Sequence, residues 1–237
     1  MSKWPKHIPE LTAEQKFISD DFMKHWHEVL HNKYDIIQKF NHGYSVRNST
    51  PGFQKTLEIG AGIGEHLEYE KLEAEQQRDY VALDLRQNMA DKIIERFPRV
   101  QTLVGDIQKG LNFDDGYFDR ILAIHVLEHL PDLPAAIEEI YRLCDKEKGE
   151  LSVVIPCEGG FSYSMARKIS AQRIFEKRYN QSYKWFISRE HINYPSEILE
   201  ELKRKFIIKH QSFFPFHVPI ITINLVIGYT LVPRTDL

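Results

Sequence analysis

Thr56-Leu57-Glu58-Ile59-Gly60-Ala61-Gly62-Ile63-Gly64-Glu65-His66 is the stretch that most narrows what this chain can become. An apolar run ends in an acid, and three glycines follow at alternate positions. That pattern is a β-strand entering a tight glycine turn, with a helix expected beyond it. In such a turn, backbone N–H groups approach a ligand that a Cβ would hold off. A nicotinamide-binding turn places glycines at relative positions 1, 3 and 6. Those positions here are Gly60, Gly62 and Glu65. The third glycine is absent, which argues against a nicotinamide dinucleotide.

The rest of the chain puts this turn in a repeating context. Strands are expected over 55–60, 80–85, 100–106, 118–125 and 150–156. Helices are expected over 65–75, 88–97 (with Asn88 as N-cap) and 133–144, the last with Leu133, Ile137, Ile140, Tyr141 and Cys144 on its apolar side. This βαβα rhythm predicts a doubly wound, Rossmann-like, mainly parallel α/β sheet of seven strands. A helix over 196–205 and strands over 206–213 and 221–231 would complete it with an antiparallel C-terminal pair. Residues 1–54 read as a helical cover that opens on the capping box Thr12-Ala13-Glu14-Gln15. Ile18, Phe22, Trp26, Val29 and Leu30 recur there at helical spacing. One domain is expected, divided into this cover, a cofactor-binding core over 55–157, a lid over 158–194, and a closing helix and strand pair over 195–237.

Bulk properties exclude several classes. The 237 residues carry a net charge of -3, which is not that of a nucleic-acid coat. Cys144 and Cys157 form no Cys-x-x-Cys pair, which argues against a disulfide framework or a structural zinc site. Met1–Pro5 carries no apolar leader core. The longest apolar stretch, Ile220 to Val232, is too short to span a membrane and contains Thr222 and Asn224. A cytoplasmic location is therefore expected, with no integral membrane segment.

Each expected strand ends in a residue suited to the ligand-binding edge of such a sheet: Glu58, Asp84, Gly105-Asp106 and His125. This succession resembles the class I S-adenosylmethionine-dependent methyltransferase family, small-molecule branch. Four segments carry the resemblance in order: Leu57–Gly64, Val81–Leu85, Gly105–Ile107 and Phe118–Leu130. Glu138–Leu143 and Gly149–Pro156 close the block. The resemblance implies that Gly60, Ala61 and Gly62 pack against the methionine part of S-adenosyl-L-methionine, with Glu58 near its amino group. Asp84 would take the ribose hydroxyls. Leu85 and Ile107 would sandwich the adenine, and Gly105-Asp106 would read its amine. The chain departs from the family at Asp145–Gly149, where many relatives have Lys-Pro-Gly-Gly.

Methyl transfer to a hydroxyl or ammonium requires a base, and histidine titrates near neutral pH. His125, at the end of the fourth strand beside the cofactor, and His191, just before a helix, are the catalytic candidates. His125-x-x-Glu128-His129 also matches an inverted zinc-protease motif. No further ligand follows by spacing, so no metal is assigned. His27 and His31, four residues apart, read as a solvated pair. Phe161–His191 holds seven basic residues and two acids, leaving 24 basic and 32 acidic residues elsewhere. This lid predicts an anionic small-molecule acceptor, such as a carboxylate, a phosphate or a nucleotide-linked sugar, methylated on oxygen or nitrogen. A lipid or quinone precursor, an RNA, or a non-catalytic cofactor-binding role are the alternatives; nucleic acid fits the charge poorly.

Overall fold

The computed structural model describes residues 3–25 and 35–236. Seven strands form one sheet: β1 (Thr56–Ile59), β2 (Tyr80–Asp84), β3 (Gln101–Val104), β4 (Arg120–Ile124), β5 (Glu150–Pro156), β6 (Phe206–Phe214) and β7 (Val226–Pro233). Their spatial order is β3-β2-β1-β4-β5-β7-β6. β1 to β5 are mutually parallel, whereas β7 runs antiparallel to both β5 and β6. This is the expected doubly wound sheet with an antiparallel C-terminal pair.

The central strands are buried almost throughout because helices cover both faces. Alternate residues of β2 separate cleanly. Val81 and Leu83 join a core shared with Leu133, Ile137 and Ile140 of α5 (Leu133–Leu143) and with Ile198 and Leu202 of α9 (Pro195–Lys205). Tyr80 and Ala82 face the other way, onto Ile93 of α4 (Gln87–Arg96). Each such aliphatic side chain removed from water contributes about 1.5–3 kcal/mol before its ordering cost. Asp132 caps α5 by accepting a hydrogen bond from the Ala135 N–H at 3.3 Å.

The cover consists of α1 (Ala13–His25) and α2 (Asp35–Asn48). The expected capping box is present: the Gln15 N–H donates to Thr12 Oγ1 and the Thr12 N–H to Gln15 Oε1. Ile18 and Phe22 are buried, while Trp26, His27, Val29, Leu30 and His31 lie outside the described residues. The lid comprises α6 (Phe161–Arg167), a π turn at Lys168–Gln172, α7 (Arg173–Tyr179) and α8 (Tyr183–Glu190). Cover and lid share a core of their own, in which Phe22 packs edge-on against Phe175 and Phe186. Asp21 reinforces it by accepting hydrogen bonds from Arg178 at 2.9 Å and the Tyr179 hydroxyl at 2.6 Å.

Three local expectations are corrected. No long helix follows the glycine turn: a 3-10 turn at His66–Glu68 and the short α3 (Ala74–Arg78) take the place of a helix over 65–75. Glu70 is drawn inward to His66, at 2.8 Å, and to the buried Arg120 of β4, which redirects the chain. α4 begins one residue after Arg86, so Asn88 lies inside the helix. The last strand starts at Val226, because Asn224 Nδ2 donates to the Val218 and Ile220 carbonyls and folds 218–224 back on itself.

Tyr44 fastens α2 to the sheet. Its ring lies against Gly228 of β7, and its hydroxyl is 3.1 Å from Thr230 Oγ1. A Cβ at position 228 would sit 2.5 Å from the Tyr44 ring. Gly228→Ala should therefore cost about 2 kcal/mol by overpacking and lower Tm by about 4–8 °C for a chain of this size. An unchanged melting curve would mean that Tyr44 moves aside freely and does not hold the cover.

Candidate active site

The connections from β1 and β4 leave in opposite directions, to β2 and to β5, and a crevice opens beyond their carboxyl ends. A cavity of ≈ 690 Å³ occupies it, roofed by α1, α2 and the lid. Glu58, Gly60, Ala61, Gly62, Asp84, Leu85, Gly105, Asp106, Ile107, His125 and His191 all line this one cavity. Residues expected separately, from the ends of different strands and from the lid, are thus brought together. The volume lies within the usual range of about 300–1,000 Å³ for small-molecule sites.

The glycine turn shapes one end. Gly60, Gly62 and Gly64 have φ of 69°, 57° and 82°, a conformation that disfavours any side chain. A Cβ on Gly60 would also meet Val126 at 2.5 Å. Four N–H groups of the turn are already engaged. Ala61 donates to the Leu83 carbonyl at 2.9 Å, Gly62 to Asp84 Oδ2 at 3.1 Å, Ile63 to Glu65 Oε2 at 3.1 Å and Gly64 to the Ala61 carbonyl at 2.9 Å. With these donors occupied and no long helix behind them, the turn is not a cradle for a pyrophosphate.

Carboxylates dominate this end. Asp84 is nearly buried and also accepts from the Arg86 N–H at 3.0 Å. Asp106 accepts from the Gln108 N–H at 3.0 Å. Glu58 is buried and accepts a 2.7 Å hydrogen bond from the Tyr80 hydroxyl. Burial pushes its carboxyl up to about 7, against the opposing influence of His66 and the Tyr80 bond. A buried carboxyl of this kind is set to ionise when a cation arrives. The exposed Leu85 and the buried Ile107 both line the cavity and offer apolar surface to a flat ring.

Histidines and acids gather at the other end. His125 sits at φ 54° directly after β4, and its Nδ1 lies 3.1 Å from Glu128 Oε1. Its Nε2 is buried without a hydrogen-bond partner. Burial pushes the Glu128 carboxyl up, but the His125 hydrogen bond and the neighbouring histidines outweigh it and hold the group at about 2. His191 Nδ1 is 2.9 Å from Glu158 Oε2, and Arg167 bonds both Glu158 oxygens at 2.5 and 2.6 Å. Burial raises the Glu158 carboxyl, yet the bonds from His191 and Arg167 prevail and its pKa falls below the ordinary value.

Sequence reasoning missed Glu158, whose signal was its position just beyond the carboxyl end of β5. It also missed His129 and Tyr163 as cavity walls. The basic lid does not line the cavity as its charge suggested. Of its seven cations, Arg167 alone is in the wall among the described residues, and Glu158 engages it. Arg178 is held by Asp21, and Arg189 bonds the Pro9 carbonyl. Among the described residues, no helix is long and apolar enough to cross a membrane.

Comparisons with known proteins agree with this architecture. An S-adenosylmethionine-dependent methyltransferase of Corynebacterium glutamicum, described as TehB-like, superposes with a TM-score of 0.61 at 17% identity, covering 92% of this chain and 100% of that one. One from Thermotoga maritima gives 0.60 at 17% identity, over 92% and 99%. The N-methyltransferase NodS of Bradyrhizobium japonicum, in complex with S-adenosyl-L-homocysteine, gives 0.56 at 13% identity, over 84% and 87%. At these identities the likeness establishes the fold. No curated protein sequence matches the chain. Residues 57–152 match the family described as "Methyltransferase domain", the span that holds the glycine turn, Asp84, Asp106 and the His125–His129 segment. Residues 57–152 are thus a methyltransferase domain, set in the fold that S-adenosylmethionine-dependent methyltransferases share.

Proposed function

We propose that the chain methylates an oxygen or nitrogen of a small acceptor, oxygen being favoured, at the His125 end of the cavity. The observation that carries this reading is the single cavity that joins the acid-lined glycine turn to the histidine cluster. Its cofactor end fits a cation: Glu58, Glu65, Asp84 and Asp106 are in the wall, and the N–H groups of Ala61, Gly62, Ile63 and Gly64 are already bonded within the turn and its neighbours. When bound, S-adenosyl-L-methionine supplies a methyl group already activated by the sulfonium charge. The protein's task is then alignment, exclusion of water and removal of a proton.

Glu58 faces the amino group and Asp84 the ribose hydroxyls in this assignment. Asp106 reads the adenine amine, with Leu85 and Ile107 on the two sides of the ring. Asp84 retains acceptor capacity beyond the bonds from Gly62 and Arg86, because a carboxylate offers about four lone-pair positions. His125 is the base. The ionised Glu128 accepts its Nδ1–H, which leaves Nε2 with the lone pair that takes the proton. His191, fixed by Glu158, positions the acceptor. Phe22, Tyr163, Tyr183 and Phe186 supply apolar and aromatic wall on the lid side, suited to a ring-bearing molecule. An anionic acceptor remains the finer expectation, but its counter-charge cannot come from Arg167 while Glu158 neutralises that side chain.

Calorimetry should detect S-adenosylhomocysteine binding and none for NAD. Asp84→Asn should weaken the former about 10- to 100-fold by removing a charged hydrogen-bond acceptor. Preference for NAD would reverse the assignment. If Glu58 meets the amino group, S-adenosylhomocysteine affinity should rise with pH and level off above about 7, where Glu58 is ionised in the free protein. Binding at pH 6 should be weaker than at pH 8 by about tenfold, and Glu58→Gln should be flat across this range. His125→Gln should lower kcat about 10²- to 10⁴-fold, the usual contribution of a general base, with cofactor affinity retained. Undiminished turnover in that variant would remove His125 from the mechanism.

A further inference from the structure

We propose that Glu128, His129 and His191 form a binding site for a divalent transition-metal ion at the acceptor end of the cavity. One ligand atom from each of the three residues lies within 4.8 Å of the other two. All three residues line the same cavity.

The hydrogen bonds around the cluster fix what each residue presents. His129 Nδ1 is 2.6 Å from the Glu190 carbonyl, which can only accept, so Nδ1 carries the proton and Nε2 keeps a lone pair. That Nε2 lies 3.8 Å from Glu128 Oε1. His191 Nδ1 lies 2.9 Å from Glu158, whose carboxylate Arg167 also holds, so in the neutral ring Nδ1 donates and Nε2 offers a lone pair. Glu128 is 1% exposed, and its Oε2 is buried with no hydrogen-bond partner. Two imidazole lone pairs and an unsatisfied carboxylate oxygen are thus gathered in a half-closed cavity without a donor to match them. A cation would resolve that mismatch.

Two imidazoles and one carboxylate suit zinc, cobalt or iron better than calcium or magnesium, which prefer oxygen alone. Three protein ligands leave a coordination position open for another molecule. The outer partners fit as well. A carboxylate behind one ligand histidine and a backbone carbonyl behind the other are the usual means of orienting metal-bound imidazoles. Ligand atoms around a zinc ion stand about 3.4 Å apart, so the three side chains would close by roughly an ångström on binding.

The consequence for the acceptor rests on the methyl-transfer reading; metal binding itself does not. An ion here would supply the positive charge that the lid cations do not bring into the cavity. It would hold an acceptor oxygen and favour its deprotonated form. His191 would then be a metal ligand, leaving His125 as the base.

The test uses the full chain, freed of metal by chelation and titrated with Co²⁺ and with Zn²⁺. The expected result is one equivalent of Co²⁺ bound, with visible bands of a low-coordinate nitrogen–oxygen site, and a Tm that rises with Zn²⁺ concentration. His129→Ala and His191→Ala should each abolish the bands. Glu158→Gln leaves every ligand in place and should weaken Co²⁺ binding about 10- to 100-fold. Circular dichroism of each variant separates lost ligation from lost folding. No stoichiometric binding to the parent chain, or bands unchanged in the His129→Ala/His191→Ala double variant, would overturn the proposal. S-adenosylhomocysteine affinity, measured on the same samples, reads the methyl-transfer assignment separately. Cofactor binding without metal binding defeats only the metal site, and metal binding without cofactor binding defeats only that assignment.

Discussion

The site depends on one topological constraint: β1 and β4 lie side by side while their connections leave in opposite directions. Two parallel strands whose chains diverge cannot cover the space beyond their own ends. The polypeptide fills the rim of that space with whatever follows each strand. After β1 this is the glycine turn, and after β4 it is His125, whose backbone adopts the same left-handed region as the glycines. Val126, the next residue, packs so close to Gly60 that no side chain fits there. The glycine turn and the His125 turn are therefore steric neighbours, and each limits the shape of the other.

Electrostatics divide the crevice into two regions. At the β1 end, carboxylates occupy the Gly62 and Ile63 donors and form an acidic wall, which favours a cation over a pyrophosphate. At the β4 end, histidines face one buried carboxylate and are braced from behind by another, Glu158, and by a backbone carbonyl. The cover and lid enclose both ends. α1 and the lid pack on each other through Phe22, Phe175 and Phe186, whereas Phe40 and Tyr44 hold α2 on the sheet.

The cofactor half of the site was largely legible in the sequence because local rules encode it. Turn glycines are needed where φ is positive, acids end strands at the ligand edge, and strand and helix periods differ. Glu58, Gly60, Asp84, Asp106 and His125 all followed from such rules, and all line the cavity. The same rules failed beyond Gly64. Residues 65–75 have helical composition, but the pairing of Glu70 with a buried arginine on a different strand overrode it. No local pattern announces such a partner.

By itself, the sequence determined the order of strands and helices, the glycine turn and the acids beside it, since each depends on residues within one or two turns of chain. Only the tertiary structure decided how the lid's charges were spent and which residues met at the acceptor end. Seven cations in the lid suggested an anion site, yet Glu158 takes up Arg167, the one in the cavity wall among the described residues, and Asp21, from the cover, takes up Arg178. Glu128 and His129 lacked a third ligand by spacing, and folding brought His191 to them from the far end of the lid. Pairing among charged groups is set by distance in space, and that distance exists only once the chain has packed.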